Sequence, residues 1–299
     1  MKISMGSWAF SFGPYSDNPI SFDATVKRLS EVGYDGIEVC GFPPHVNLDM
    51  YPGKPERTEL VQFLAAHKLG VSGYAADLGS ANPVNRANEA KYLALFDQLC
   101  QMCVDIGSPA IRVDTVAAPN SIPDGDYQEA FNHVAKLWHT AAGIAEKHGV
   151  RMCWEFEPGF AFNKPSEVLA MHDRVNHPNF RIMFDTSHAY MCGVVGARQF
   201  GRKETLKGGV AEFLDMLKGR IGAIHLIDSD GTLHGDETST HRPFGEGHID
   251  FQDLTPALLA VPGISWWCID LCFWPGSWEL VEPSLAFVKG LLASRAATV

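Results

Sequence analysis

Short apolar runs alternate with longer amphipathic stretches eight times along these 299 residues, and that period constrains the fold more than any other feature. The candidate strands are KISMG (2–6), GIEVC (36–40), GVSGY (70–74), AIRVD (110–114), RMCWEFE (151–157), RIMFD (181–185), GAIHLID (222–228) and WWCIDLCF (266–273). They are rich in β-branched and aromatic residues, and Gly or Pro bounds most of them, as expected of buried strands. Between them, DATVKRLSEVG predicts a helix with Asp23 as N-cap and Gly33 as its stop, and a second helix runs from Asp126 to a Gly149 C-cap. PSEVLAMHDRV and PSLAFVKGLLASR each open on a proline suited to the first helical position. Eight βα units with near-continuously apolar strands imply a parallel sheet covered on both faces. An open doubly wound sheet would show the same alternation. Eight units and no G-x-G-x-x-G after the first strand favour a closed α/β architecture, a (β/α)8 TIM barrel filling residues 1–299 as a single domain.

In such a barrel the site is built where strands end and helices begin. The long irregular segments 7–22, 41–55, 75–86, 115–125, 158–164, 186–210 and 229–252 fall there, and the polar chemistry gathers with them. With 24 basic and 35 acidic residues the net charge is −11, which argues against a nucleic-acid groove or an anionic membrane surface. No run of eighteen apolar residues predicts a transmembrane helix, and the N-terminal segment does not read as a secretion signal, so a cytoplasmic location is expected. The seven cysteines are odd in number and sit mostly in apolar runs; the one C-x-x-C, Cys100 and Cys103, lies inside a helical pattern and reads as buried small hydrophobes.

Glu155 and Glu157 end the fifth strand, and at i and i+2 they share a face. A carboxylate is rarely buried without a partner, so the pair suggests a cation nearby, with solvated strand-end charges as the alternative. Asp185 ends the sixth strand with His188 three residues on, in the loop; capping of the following segment is the other role open to Asp185. His225 lies in the seventh strand, where a satisfied core histidine competes with a ligand, while Asp228 faces the other way and reads as a loop anchor. Asp270 is flanked by Trp267, Ile269, Leu271 and Phe273; alternation sets it opposite those four, facing the barrel interior, where its charge needs compensation. Glu155, Asp185, His225 and Asp270 thus offer three carboxylates and an imidazole on successive strands, an oxygen-rich set suited to one divalent ion, Mn²⁺ or Mg²⁺, with Co²⁺, Fe²⁺ and Zn²⁺ as alternatives.

At these residues the chain resembles the xylose isomerase-like barrels of the sugar isomerase/epimerase superfamily. GVRMCWE, RIMFDTSH, GAIHLID and RPFGEGHIDF are similar to that superfamily's strand-five Glu, D-T-x-H, strand-seven His and G-E-G-x-I-D-F segments. The likeness runs over most of the chain and is strongest from 149 to 274. Resemblance to the D-tagatose 3-epimerase type implies Glu155, Asp185 and His225 as metal ligands, Asp270 where those enzymes carry a ligand Glu, and His188 and Arg242 as substrate contacts. Aspartate at 270 departs from that type, being one methylene shorter, and puts two-base epimerisation in question. Endonuclease IV is a more distant resemblance, through D-T-x-H, HLIDS and His241; Ser239 stands where its zinc-binding aspartate would be, and the charge opposes a DNA substrate. The superfamily likeness also implies a homo-oligomer.

The chemistry expected is a metal-polarised carbonyl and an enediolate formed when the neighbouring carbon loses its proton. Glu155 is the first candidate base, Asp270 the shorter partner, and Glu157 a second candidate for base or for contact with a substrate hydroxyl. His188 and Arg242 would hydrogen-bond the developing oxyanion. Trp8, Phe10, Phe12, Phe42, Trp274 and Trp278 follow strands one, two and eight and could stack on a sugar, although about half of them are expected to be core. No Gly-rich phosphate cradle is present, so an unphosphorylated sugar or keto-polyol is the expected small-molecule partner. The expectation is a metal-dependent sugar isomerase or epimerase. The alternative is a lyase on the same site, dehydrating a keto-inositol or releasing the aglycone of a 3-keto-glycoside; a sugar-binding barrel without catalysis would show no metal requirement.

Overall fold

The computed structural model describes residues 1–296. The barrel strands are β1 (Lys2–Gly6), β2 (Gly36–Cys40), β3 (Gly70–Ala75), β4 (Ala110–Val113), β5 (Arg151–Glu155), β6 (Phe180–Asp185), β7 (Ile221–Leu226) and β8 (Trp266–Ile269). They close in sequence order, and Ser4 of β1 pairs with Gly36 on one side and Cys268 on the other. Every barrel pair is parallel. The expected eight-unit closed barrel is therefore the observed one. The expected strands 110–114, 151–157, 222–228 and 266–273 are shorter in the structure, because the chain leaves the ladder as it enters the polar rim. Glu157, Asp228 and Asp270 consequently sit just past strand ends.

Alternation decides which side chains go where. Ile3, Ile37, Val39, Ile111, Trp154, Ile224 and Trp267 point outward into the core between sheet and helices. The intervening residues face the axis, where space is short, and low in the barrel they are small or flexible: Ala110, Cys153, Met183 and Ala223 pack there. Higher up, the axial positions carry charge.

Helices α1 (Phe22–Val32), α2 (Lys54–Ala66), α3 (Glu89–Ile106), α4 (Tyr127–Lys147), α5 (Pro165–Val175), α7 (Gly209–Met216), α8 (Phe251–Leu259) and α9 (Val281–Ala296) cover the outside, while the short α6 (Thr186–Tyr190) follows β6 directly at the rim of the barrel. In α1 the N-cap is Ser21, whose hydroxyl accepts from Ala24 N at 3.2 Å, and not Asp23, which lies in the first turn. Phe22, Val26 and Leu29 form its buried stripe, and Gly33 ends it at φ 92°, a left-handed value that favours glycine. Helix α4 ends at Lys147 with His148 as C-cap, one residue before the expected Gly149. Pro165 opens α5 as expected, whereas α9 starts at Val281, two residues before Pro283. All seven cysteines, Cys100 and Cys103 included, are buried free thiols. No helix among the described residues is long and apolar enough to cross a membrane.

Candidate metal centre

Strands β5 to β8 bring Glu155, Asp185, His225 and Asp270 together: one donor atom from each lies within 4.8 Å of all the others, and all four residues are buried. Each is oriented by a separate partner. Arg112, axial on β4, donates from Nε to Glu155 Oε2 at 2.6 Å and leaves Oε1 facing the cluster. Asp185 Oδ1 caps α6 by accepting from His188 N at 2.8 Å, so capping and cluster membership are shared between its two oxygens. Glu38, axial on β2, accepts a hydrogen bond from His225 Nε2 at 3.1 Å and turns Nδ1 toward Glu155 Oε1 (3.0 Å) and Asp270 Oδ2 (3.5 Å). Asp270 Oδ1 accepts from Trp8 Nε1 at 2.7 Å and from Cys272 N at 3.0 Å, leaving Oδ2 inward.

Glu155 Oε1 and His225 Nδ1, 3.0 Å apart, and Asp185 Oδ2 are buried, and none makes a hydrogen bond of good geometry. A buried polar atom left unpaired is costly, and three facing one another, two of them carboxylate oxygens, call for a shared positive charge. The donor set fits a divalent cation, and the carboxylate on the far nitrogen of His225 is the usual orienting partner of a metal-bound imidazole. Where only protons are available, burial opposes the charge on His225, but Glu38, Asp270 and Glu155 outweigh it and hold the imidazole well above its ordinary value.

A cavity of about 230 Å³ opens beside the cluster. Its polar wall carries Arg112, Asp114, Glu157, His188, Thr238 and His241. Arg112 is shared among Asp114, Glu155 and Glu157, the last at 3.5 Å. The two glutamates of β5 are driven apart. Burial alone would raise both; for Glu155 the Arg112 guanidinium and His225 reverse this and hold it well below the usual carboxylate range. For Glu157, burial and the charges of Glu155 and Asp114 outweigh Arg112 and push it up to about 7. Thr238 donates to Glu157 Oε2, which also lies 3.9 Å from His188 Nε2. His188 sits in the first turn of α6 rather than in a loop; Nδ1 bonds Ser239 Oγ at 2.8 Å, and burial, then the neighbouring His241, hold it down at about 3.

The loop after β7 supplies the roof. Asp228 is the anchor expected: Oδ2 accepts from Gly245 and Gly247 N at 3.0 Å each, and Oδ1 from Ile249 N at 3.0 Å. A side chain at 247 would begin 2.3 Å from that carboxylate, so only glycine allows the approach. A hairpin of Leu233–His234 and Thr238–Ser239 then carries Thr238 and Ser239 over the cavity, and His241 follows with Nδ1 3.3 Å from Asp270 Oδ1.

Four expected substrate contacts, Arg242, Trp274, Phe10 and Trp278, do not line this cavity. Arg242 is turned away, paired with Asp230 at 2.6 Å and stacked on Trp274 at 5.0 Å, so both residues are occupied with each other. Phe10 is fully buried between Tyr15 and Trp278. Trp8, Phe12 and Phe42 do line it, so the six aromatics divide evenly. Glu38, Arg112 and Asp114 belong to the site without having been singled out from the sequence. The signal for two of them was the one that exposed Asp270: a charge inside an apolar strand, GIEVC and AIRVD.

A family model described as xylose isomerase-like TIM barrel matches residues 26–289. No curated protein matches the chain in sequence. Among solved structures, a D-tagatose 3-epimerase-like protein is similar at 17% identity and TM-score 0.76, over 100% of this chain and 99% of that one. D-psicose 3-epimerase from Clostridium cellulolyticum H10 is similar at 13% identity and TM-score 0.73, over 98% and 99%. The IolI protein, solved with a zinc atom, is similar at 18% identity and TM-score 0.72, over 98% and 97%. At such identities the likeness is one of fold.

Proposed function

Since the chain belongs to the xylose isomerase-like TIM barrel family, we propose that it is a divalent-metal-dependent isomerase or epimerase of an unphosphorylated sugar or keto-sugar. The observation that carries this reading is the group of facing, buried donor atoms on Glu155, Asp185 and His225, none with a hydrogen bond of good geometry, with Asp270 beside them. These four residues would hold the ion, Mn²⁺ or Mg²⁺ by their oxygen-rich character, with Co²⁺, Fe²⁺ and Zn²⁺ also compatible. When bound, the ion supplies Lewis-acid polarisation of a carbonyl and its neighbouring hydroxyl.

The remaining work falls to side chains. Both oxygens of Glu155 are engaged, one by Arg112 and one by the cluster. Proton transfer at carbon is therefore assigned to Glu157, in place of the Glu155 favoured from sequence alone. Glu157 lines the cavity, is steadied by Thr238 and Arg112, and lies near His188, whose neutral imidazole can hydrogen-bond the substrate oxygen. Arg112 engages one oxygen of Glu155 and would leave the other for the ion. Trp8 fixes Asp270 and, with Phe12 and Phe42, excludes water from the reacting carbon. Arg112, the one arginine or lysine among the residues lining the cavity, is already shared by three carboxylates, which favours an unphosphorylated substrate.

Asp270 spends one oxygen on Trp8 and Cys272 and aims the other into the cluster, so it is not free to act as a second base beside Glu157. This favours chemistry that needs one base, and it supports the lyase alternative, in which proton removal is followed by expulsion of a β-oxygen from a keto-inositol or 3-keto-glycoside. Incubating metal-loaded protein with ketoses and a keto-inositol in D₂O separates the two. Deuterium at carbon with the skeleton retained is the isomerase result, and an enone absorbing in the ultraviolet is the lyase result. Neither signal, from protein that elemental analysis shows to carry metal, overturns the proposal. The Glu155→Gln variant is expected to lose the metal by the same analysis.

A further inference from the structure

The cavity is divided by topology. The cluster and its polar neighbours other than Arg112 and Asp114 come from β5 to β8 and the loops after β6 and β7. The remaining arc, from the segments after β8 and β1 through to β4 and β5, is apolar: Phe12, Phe42, Leu78, Val116, Phe160 and Phe273. The polar side chains on that arc are already satisfied. Arg112 and Asp114 hold each other, and the indole N–H of Trp8 is given to Asp270.

A hydroxy-ketone gripped at the cluster has to extend over this arc. A free ketose would lay its distal hydroxyls against rings and methyl groups that offer no hydrogen bond, and their lost hydration would go uncompensated. The arc itself is built as a set of ring surfaces. Phe12 meets Phe42 edge-on at 5.4 Å and lies nearly parallel to Phe273 at 6.2 Å, while His234 stacks on the outer face of Phe273 at 4.7 Å. Val116 and Phe273 hold their places at φ 59° and 61°, a backbone region that disfavours branched and bulky residues. Both are kept on the cavity wall despite that strain, as happens where a binding surface depends on them.

We infer that the substrate is a sugar-like hydroxy-ketone bearing a flat apolar substituent of aromatic-ring size, which lies against Phe12, Phe42 and Phe273 while the polar head meets the cluster. The inference rests on the proposed proton-transfer site for the position of the head and on the apolar arc for the tail. It makes the arc a specificity surface that distinguishes this chain's substrate from a simple ketose.

The test is equilibrium binding to Mn²⁺-loaded protein of three hydroxy-ketones: hydroxyacetone, D-fructose and 2-hydroxyacetophenone, the phenyl analogue of the first. Burying one ring is expected to make the phenyl compound bind at least about tenfold more tightly than either of the others. Phe42→Ala and Phe160→Ala, from separate loops, should each narrow that gap, with circular dichroism and melting temperature showing that the variants fold. D-fructose binding as tightly as the phenyl ketone, or a gap untouched in both variants, overturns the inference. Deuterium exchange into the bound ketones is followed in parallel. Aryl preference without exchange from any ketone sinks the proton-transfer reading and leaves the aromatic subsite standing; exchange without aryl preference does the reverse.

Discussion

Removing the Arg112 guanidinium is the perturbation that bears most directly on how this site is held together. The side chain keeps 13% exposure and serves three carboxylates, Asp114, Glu155 at 2.6 Å and Glu157 at 3.5 Å, each side chain no more than 10% exposed. Arg112→Met preserves much of the apolar volume but leaves those carboxylates without their cation. Breaking a buried ion pair from one side typically costs about 3–5 kcal/mol. At about 2 °C per kcal/mol for a chain of this size, the melting temperature should fall by about 6–10 °C. The loss must depend on pH. In the parent protein Glu155 lies below its unfolded value, so its contribution is full above the ordinary carboxylate range and disappears only as pH falls through its lower folded value. Glu157 and Asp114 are already raised, Glu157 to about 7, and without Arg112 they rise further; a raised carboxylate destabilises at high pH and is relieved as pH falls. The difference between variant and parent should therefore be larger at pH 8 than at pH 5.5. Arg112→Lys should recover part of it, since one ammonium replaces the charge but not the three-way fork. Scanning calorimetry of chelator-treated protein gives the comparison free of metal. A melting temperature within about 2 °C of the parent at pH 8, where about 6–10 °C is expected, or an equal loss at both pH values, would refute this account of the cluster.

Trp8→Phe keeps the ring and deletes the 2.7 Å bond to Asp270; metal affinity measured by titration calorimetry should fall by about tenfold, the lower range for an orienting partner of a ligand, and an unchanged affinity would show that Asp270 orients itself. His45 is fully buried, with Nε2 3.0 Å from the Ile20 carbonyl and Nδ1 without a partner, and burial holds its imidazole below the ordinary value. The unfolded chain therefore takes up a proton first as pH drops. Stability should decline below about pH 6.5 by up to about 1.4 kcal/mol per unit until the folded value is reached. Denaturation midpoints at pH 7 and 5.5 for parent and His45→Gln check this, and equal slopes would remove His45 as the source.

Much of the site was readable because a period of two is a strong constraint. A charged residue flanked by Trp267, Ile269 and Leu271 has one face open to it, and in a closed barrel that face is the axis. Asp270 was found this way, and Glu155, Asp185 and His225 by their places at the ends of neighbouring strands. Glu38 and Arg112 obey the same rule, being flanked by Ile37 and Val39 and by Ile111 and Val113. Their role stayed hidden because it depends on which axial residue lies across the barrel. Glu38 meets His225 at a separation of 187 residues, and spacing carries no information about such a pair.

The sequence by itself determined the architecture, eight apolar strands each with a covering helix, and the ring of charged residues at their carboxyl ends. Both follow from burial, a local property that recurs with the period of the backbone. Only tertiary structure decided what the side chains beyond the strands do. Phe10 and Phe12 are two residues apart, yet the short helical turn at Ser7–Phe10 buries one and leaves the other on the cavity wall. Arg242 and His241 are adjacent, yet the anchored loop sends one to Asp230 and the other to Asp270. Once the chain leaves the ladder no repeat dictates direction, and each side chain settles where packing and unpaired charge from distant segments place it.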